Sequence, residues 1–256
     1  MLVVVAALED DAALWFVRAA TARGVPCTVL TTQALSFPRR LSHSLSDDGF
    51  DTRIELTDGT VVDSGAVDGV LNRLVEAPTM AWRSAAAGER DYAAAELHAL
   101  TVSWLHALPC PVRNRPAPDC LAGRLLHPFA AAAAATAAGL SCPRLQIGTG
   151  WSGEPAMALQ LAAVARAGAG AQVRRLVCLD GAVLAEDVPE DQCAAIKRFT
   201  NTAGLHDALV GMDFLVAGGR WWFAGATPLP DLRLGGPLLV DGLLALFGAV
   251  PQMPAL

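Results

Sequence analysis

Gly211-Met-Asp-Phe-Leu-Val-Ala-Gly-Gly-Arg-Trp-Trp-Phe-Ala-Gly-Ala-Thr-Pro-Leu-Pro-Asp231 is the stretch on which the reading of this chain turns. Two apolar runs flank a Gly-Gly turn and a Pro-rich loop closes the segment, a pattern that predicts a β-hairpin. The first strand carries one acidic residue, Asp213, in an otherwise apolar run. A carboxylate in that setting is costly to bury unless a metal ion or an arginine compensates it. The loop that would supply further metal ligands, residues 225–230, holds no carboxylate. Trp221 and Trp222 adjoin on the second strand, so their side chains point to opposite faces. One can fill the core; the other is an interface candidate or is covered by the loop at 228–237.

Outward from the hairpin, strand and helix signals alternate. Residues 2–7 form a continuous apolar run, Asp10 and Asp11 can cap a helix reaching about Arg23, and Gly24-Val-Pro26 breaks it before a short strand at 27–31. This βαβ opening predicts a parallel sheet, with no Gly-x-Gly-x-x-Gly fingerprint after its first strand. Residues 53–63 alternate around Asp58-Gly59, a second hairpin signal, and 67–74 read as a strand. A loop at 77–90 precedes a helix at 92–108 with Leu97, Leu100, Trp104 and Leu108 on one side. Residues 109–118 read as a strand and a Pro-rich crossing, and 119–138 as an alanine-rich helix ended by Gly139. The remaining expectations are a strand at 145–148, a helix at 153–167, a hairpin around Asp180-Gly181, a helix at 189–203 and a last helix at 238–247.

At 256 residues, 53% apolar and 17% charged, the chain is globular. A net charge of −6 without any Lys/Arg run argues against a nucleic-acid surface. Residues 125–143 carry no charge, but their alanine content and the interruptions at His127, Pro128, Thr136, Gly139 and Ser141 suit a buried helix better than a membrane span. The amino terminus lacks a basic region and meets acid at Glu9, which reads as a first strand and not as a signal peptide. Six cysteines without Cys-x-x-Cys spacing and five scattered histidines assemble no zinc set. The cysteines are expected to be reduced, mostly buried thiols in a cytoplasmic protein.

Several pieces then fall into a recognisable order. A strand ends at Arg73, a helix carries Glu96, and Pro111-Val-Arg-Asn114-Arg-Pro116 is followed by Ala122-Gly-Arg124 and by Gly139-Leu140-Ser-Cys-Pro143. Val173-Arg-Arg175-Leu-Val-Cys-Leu-Asp-Gly181, Gly204-Leu205 and Gly211-Met-Asp213-Phe-Leu complete the series. Together these resemble the ATP-grasp ligases, in particular the peptide-modifying group with a pre-ATP-grasp domain. The resemblance implies an α/β fold: a pre-ATP-grasp-like sheet domain over residues 1–118, then a reduced ATP-grasp-like α+β domain over 119–256. It also implies that Arg124 and Arg175 are phosphate- or carboxylate-binding candidates and that Asp213 is the metal candidate.

The departures from the pattern carry equal weight. Where the family has Glu-x-Asn-Pro to complete the magnesium site, this chain has Gly225-Ala226-Thr227-Pro228. Arg124 replaces the lysine that opens the nucleotide domain, and only about a strand and a helix fit between Cys142 and Gln172, with no lysine over residues 140–181, so most of the central lid subdomain is expected to be missing. Asp213 then has two readings, a metal ligand or the partner of an arginine such as Arg175, and the missing ligands favour the second. For Arg73, Glu96 and Asn114 the preferred reading is hydrogen bonding between elements.

The function that follows is a degenerate, non-ligating accessory or binding partner in peptide or amino-acid modification. A protein or peptide is the expected partner, a homodimer is a further expectation, and neither nucleic acid nor membrane is expected. The alternative is an active carboxylate-amine ligase working through an acyl phosphate. Mg-ATP is implied only there, with Arg124 and Arg175 on the phosphates and Asp213, aided by Asp231, on the metal. No catalytic residue is assigned.

Overall fold

The opening apolar run, β1 (Leu2–Ala6), is buried along its whole length, as expected of a strand flanked and covered on both faces. A computed structural model of the chain describes residues 1–47, 49–145, 155–168 and 170–249. It divides into two compact units, Met1–Arg124 with Val240 onward, and Leu125–Leu239. The division falls after Arg124 and not at residue 118, and it gives the carboxyl-terminal stretch to the first unit.

In the first unit, α1 (Asp11–Thr21) links β1 to β2 (Cys27–Thr31), and the Asp10 carboxylate caps α1 by accepting from the Ala13 N–H at 2.9 Å. After α2 (Thr32–Ser36) come β3 (Arg40–Ser46), β4 (Gly49–Glu55) and β5 (Val61–Asp63), an antiparallel three-stranded sheet. Then follow β6 (Gly69–Asn72), α3 (Ala87–Ala107) and β7 (Val112–Arg113). The order β2-β1-β6-β7 is parallel throughout, so the βαβ expectation holds. Its core gathers Val3, Val5, Leu30, Ile54, Val70 and Leu105.

Three boundaries in this unit differ from expectation for local reasons. Helix α3 begins five residues before Tyr92, inside the predicted loop, because the Glu89 carboxylate accepts from the Ala86 N–H at 3.3 Å and supports a first turn that has no apolar face. The strand at 109–118 shrinks to two residues: Asn114 adopts φ 61°, and the prolines around it have no N–H for a ladder. Strand β3, not expected at all, pairs with β4 over its full length, from Arg40↔Glu55 to Ser46↔Gly49.

In the second unit, α4 (Pro128–Ala137) starts nine residues later than expected, with Pro128 in its first turn and His127 Nδ1 accepting from the Phe129 N–H. Its end matches expectation. Gly139, at φ 83°, donates to Thr136 and Leu140 donates to Ala135, the double bond of a Schellman turn. Between α4 and β8 (Gln172–Leu179) the described residues hold one helix, α5 (Pro155–Ala167), and no sheet. The strand expected at 145–148 lies outside the described residues except for Leu145. The unit continues with β9 (Ala182–Val183), α6 (Glu190–Thr202), β10 (Leu209–Ala217) and β11 (Arg220–Thr227), and α7 (Gly236–Leu246) spans the division between the units.

The second unit's sheet, ordered β11-β10-β8-β9, is antiparallel with β10 and β8 inside. Helices α4 and α6 cover one face, where Phe199, Met212, Phe214 and Phe223 form the larger core. Ala163 of α5 covers the other face with Leu215, Ala224 and Trp222. No described helix is long and apolar enough to cross a membrane.

Candidate functional site

The β10–β11 hairpin forms where the sequence places it, turned by Gly218 and Gly219 at φ 57° and 76°, values that only glycine adopts freely in succession. Within the ladder Asp213 lies opposite Arg175 of β8 on one side and Gly225 of β11 on the other. A register shift between Asp213 and Phe214 marks a β-bulge at this point. Gly211, two residues upstream, admits no side chain: a Cβ there would lie 2.9 Å from Thr227 Cγ2 and 3.1 Å from Pro230 Cβ.

Asp213 and Arg175 are the two predicted site residues that the fold brings together. Arg175 Nε stands 3.9 Å from Asp213 Oδ1, with the arginine side chain 68% exposed and the aspartate 37%. The pair is long and wet, so its attraction is weak. Desolvation raises the Asp213 pKa above the ordinary carboxylate value, and the Arg175 charge offsets this in part.

This donor set does not fit a magnesium ion that would clamp a nucleotide. Such an ion needs several hard oxygen ligands. Gly225 contributes no side chain, and Asp231 is held by Arg233 through two bonds of 2.7 Å. The Thr227 hydroxyl accepts from the Leu229 N–H at 3.1 Å. Among the described residues no group of three or more His, Cys, Asp or Glu side chains could hold a metal. Arg124 is exposed at the end of the first unit, whereas Arg175 belongs to the second.

The adjacent tryptophans do point to opposite faces, and both are half-buried. Trp221 meets Phe214 edge-on at 5.6 Å on the side of the larger core, with the Arg174 guanidinium 5.6 Å from its ring and bound to Asp187. Trp222 lies in the smaller cluster, with Arg220 over its ring at 4.3 Å and Arg166 at 5.9 Å. Arg166 and Arg220 went unnoticed in the sequence. Arg220 stands two positions before Trp222 on one strand, a spacing that shares a face, but Arg166 lies in a separate helix and carries no local signal.

Other expectations meet different outcomes. Arg73 is 5% exposed and binds the Asp10 carboxylate at 2.7 Å, and Asn72 reaches the carbonyls of Asn114 and Leu121. Arg73 and Asn114 therefore link elements of the first sheet, as preferred. The cysteines are free, but only Cys110 and Cys178 are buried; the other four are half-buried, a correction to the expectation of mostly buried thiols.

The comparisons with known proteins fit this geometry. No family model and no curated protein matches the chain. Among solved structures, the macrocyclase MdnC of Microcystis aeruginosa MRC, bound with precursor peptide MdnA, aligns with a TM-score of 0.70 at 12% identity, over 96% of this chain and 99% of that one. The fold is that of the ATP-grasp ligases. Two further ATP-grasp ligases align as well. PsnB complexed with minimal precursor, Mg and ADP gives a TM-score of 0.63 at 18% identity, covering 96% of this chain and 98% of its own. The Chryseobacterium gregarium RiPP-associated ATP-grasp ligase, in complex with ADP and a leader and core peptide, gives 0.66 at 9%, over 95% and 96%. The chain therefore has an ATP-grasp-like fold, and the ladder around Asp213 is as poor in carboxylates as the sequence at 225–228 led us to expect.

Proposed function

We propose that this protein is a degenerate ATP-grasp-fold protein that does not ligate, and that it acts as an accessory or binding partner in the modification of a peptide. The observation that carries this reading is Gly225 opposite Asp213: the ladder position from which a second carboxylate would meet the first has no side chain. Phosphoryl transfer from ATP depends on bound cations to neutralise the charge that develops on the phosphates. One half-exposed carboxylate shared with Arg175 supplies too few ligands for that role.

The peptide side of the reading draws support from the solved ligases of this fold, which hold precursor peptides. The half-buried faces of Trp221 and Trp222 suit a contact with a protein or peptide, including a second copy of this chain. Six free thiols suit a reducing, cytoplasmic compartment. Isothermal calorimetry of the purified chain with Mg-ATP tests the proposal. Little or no heat is expected; tight binding would overturn the proposal, and peptide-dependent phosphate release abolished by Asp213→Asn would establish an active carboxylate-amine ligase instead.

A further inference from the structure

A groove of about 650 Å³ runs along α4 in the second unit, between that helix, the segment after Gly139 and the last turn of α5. Its floor is low because α4 is built from alanine: Ala132 and Ala133 expose little beyond methyl groups, and Phe129 supplies an aromatic wall. Two guanidinium groups border it, Arg144 and Arg166. Among the described residues no carboxylate lines it and neither arginine is in an ion pair. Arg166 stands over the Trp222 ring, 5.9 Å away. In a chain with 25 acidic and 19 basic residues, a carboxylate-free pair of arginines on an apolar floor is a local reversal of sign.

We infer that this groove binds an acidic amphipathic peptide segment. Its carboxylates would pair with Arg144 and Arg166, and its apolar side chains would lie on Phe129 and the alanine face of α4. Three observations favour this occupant. The groove is open along one side, which suits a polymer passing through better than an enclosed small molecule. The floor is mostly alanine methyl groups beside the Phe129 ring, so apolar side chains of a peptide gain burial there that a free nucleotide would use little of. Arginine is the side chain best suited to bidentate carboxylate recognition, and opposite charge speeds encounter and selects partners. The inference rests on the proposed role as a peptide partner, to which it adds the place and the chemistry.

The test uses the full chain and two fluorescein-labelled synthetic peptides that share the same leucine and alanine positions, one with glutamate and the other with glutamine at every polar position. Fluorescence polarisation is expected to show binding of the glutamate peptide, weakened by added salt and by at least about tenfold in an Arg144→Glu/Arg166→Glu variant. An Ala133→Trp variant, altering an exposed helix position that lines the groove, is expected to abolish binding by filling it. Circular dichroism and melting checks keep both variants interpretable. Equal binding of the two peptides, no binding at all, or binding unchanged in both variants overturns the inference. So does self-association in sedimentation that the double arginine variant abolishes, because the groove then belongs to a second copy. None of these assays contains nucleotide, so their failure leaves the Mg-ATP result, and the proposed loss of ligation with it, standing separately.

Discussion

Asp213 and Gly225 face each other across the β10–β11 ladder, immediately beside the bulge, and a Cβ built on Gly225 would meet no atom within 4 Å. The space beside Asp213 at this ladder position is thus open and is not filled by a neighbouring side chain. Gly225 also has an ordinary backbone conformation, so a larger residue fits there without strain. We expect Gly225→Glu combined with Thr227→Asn to fold and to confer magnesium-dependent stabilisation that the natural chain lacks. At a magnesium concentration one hundred times the dissociation constant, the gain is about 2.7 kcal/mol. Thermal melting with and without Mg²⁺ reads this, and identical melting of the variant in both conditions would refute it.

The pH dependence of Asp213 has a definite sign. Burial raises its pKa above 3.8 in the folded chain, so the folded state holds the proton more tightly than the unfolded one. Stability contributed by this group therefore falls as pH rises from 3.8 through the raised folded value, and is level above it. Asp213→Asn should remove that loss, so the melting temperature of the variant relative to the natural chain should climb through this window and then plateau. Arg175→Gln removes the offsetting charge and should widen the window. Parallel melting curves at every pH would contradict both statements.

Gly69 is a packing requirement of the first unit. A Cβ there would sit 2.3 Å from Cδ1 of Phe247, a buried ring just beyond α7. Gly69→Ala should destabilise by about 1–3 kcal/mol through overpacking. Phe247→Ala should cost about 3–5 kcal/mol through the cavity it leaves. In the double variant the new methyl group occupies part of that cavity, so urea denaturation should show a combined loss smaller than the sum. Strict additivity would place the two residues out of contact.

The Asp10–Arg73 pair should prove much more costly to break than the exposed Arg53–Asp63 pair. Its side chains are 15% and 5% exposed, against 48% for Arg53 and 43% for Asp63. Arg73→Met leaves a shielded carboxylate without its cation and should cost about 3–5 kcal/mol. Arg53→Met should cost about 0–1 kcal/mol. Asp10→Asn retains the bond to the Ala13 N–H and should cost less than Asp10→Ala, which loses the cap as well. Chemical denaturation of the four variants ranks them.

Much of this fold is legible locally. The apolar run of β1, the Asp10 cap and the Gly24 break predict a βαβ unit because each acts on its own neighbours within a few residues. Gly139 ends α4, and Gly218-Gly219 turns the hairpin, because both positions need a left-handed backbone. Less legible was β3, Arg-Leu-Ser-His-Ser-Leu-Ser, whose polar alternation lacks an apolar run. Its ladder with β4 and the bonds from His43 to Thr52 at 2.7 Å and Ser103 at 2.8 Å supply what its own sequence does not.

The candidate site divides along the same line. Asp213, the carboxylate-free loop at 225–230 and the pair of tryptophans could be picked out from residue order, since each depends on residue type and near spacing. That Asp213 stands between Arg175 and Gly225 depends on strand register and a bulge, which are set by packing against Phe214, Phe223 and the helices behind them. The bracketing of Trp222 by Arg166 and Arg220, and the opening of an arginine-rimmed groove along α4, depend on where a separate helix comes to rest. Short-range chemistry chooses the elements, but a register or a cross-element pair is chosen by the burial of surfaces far apart in the chain, and no local spacing encodes that sum.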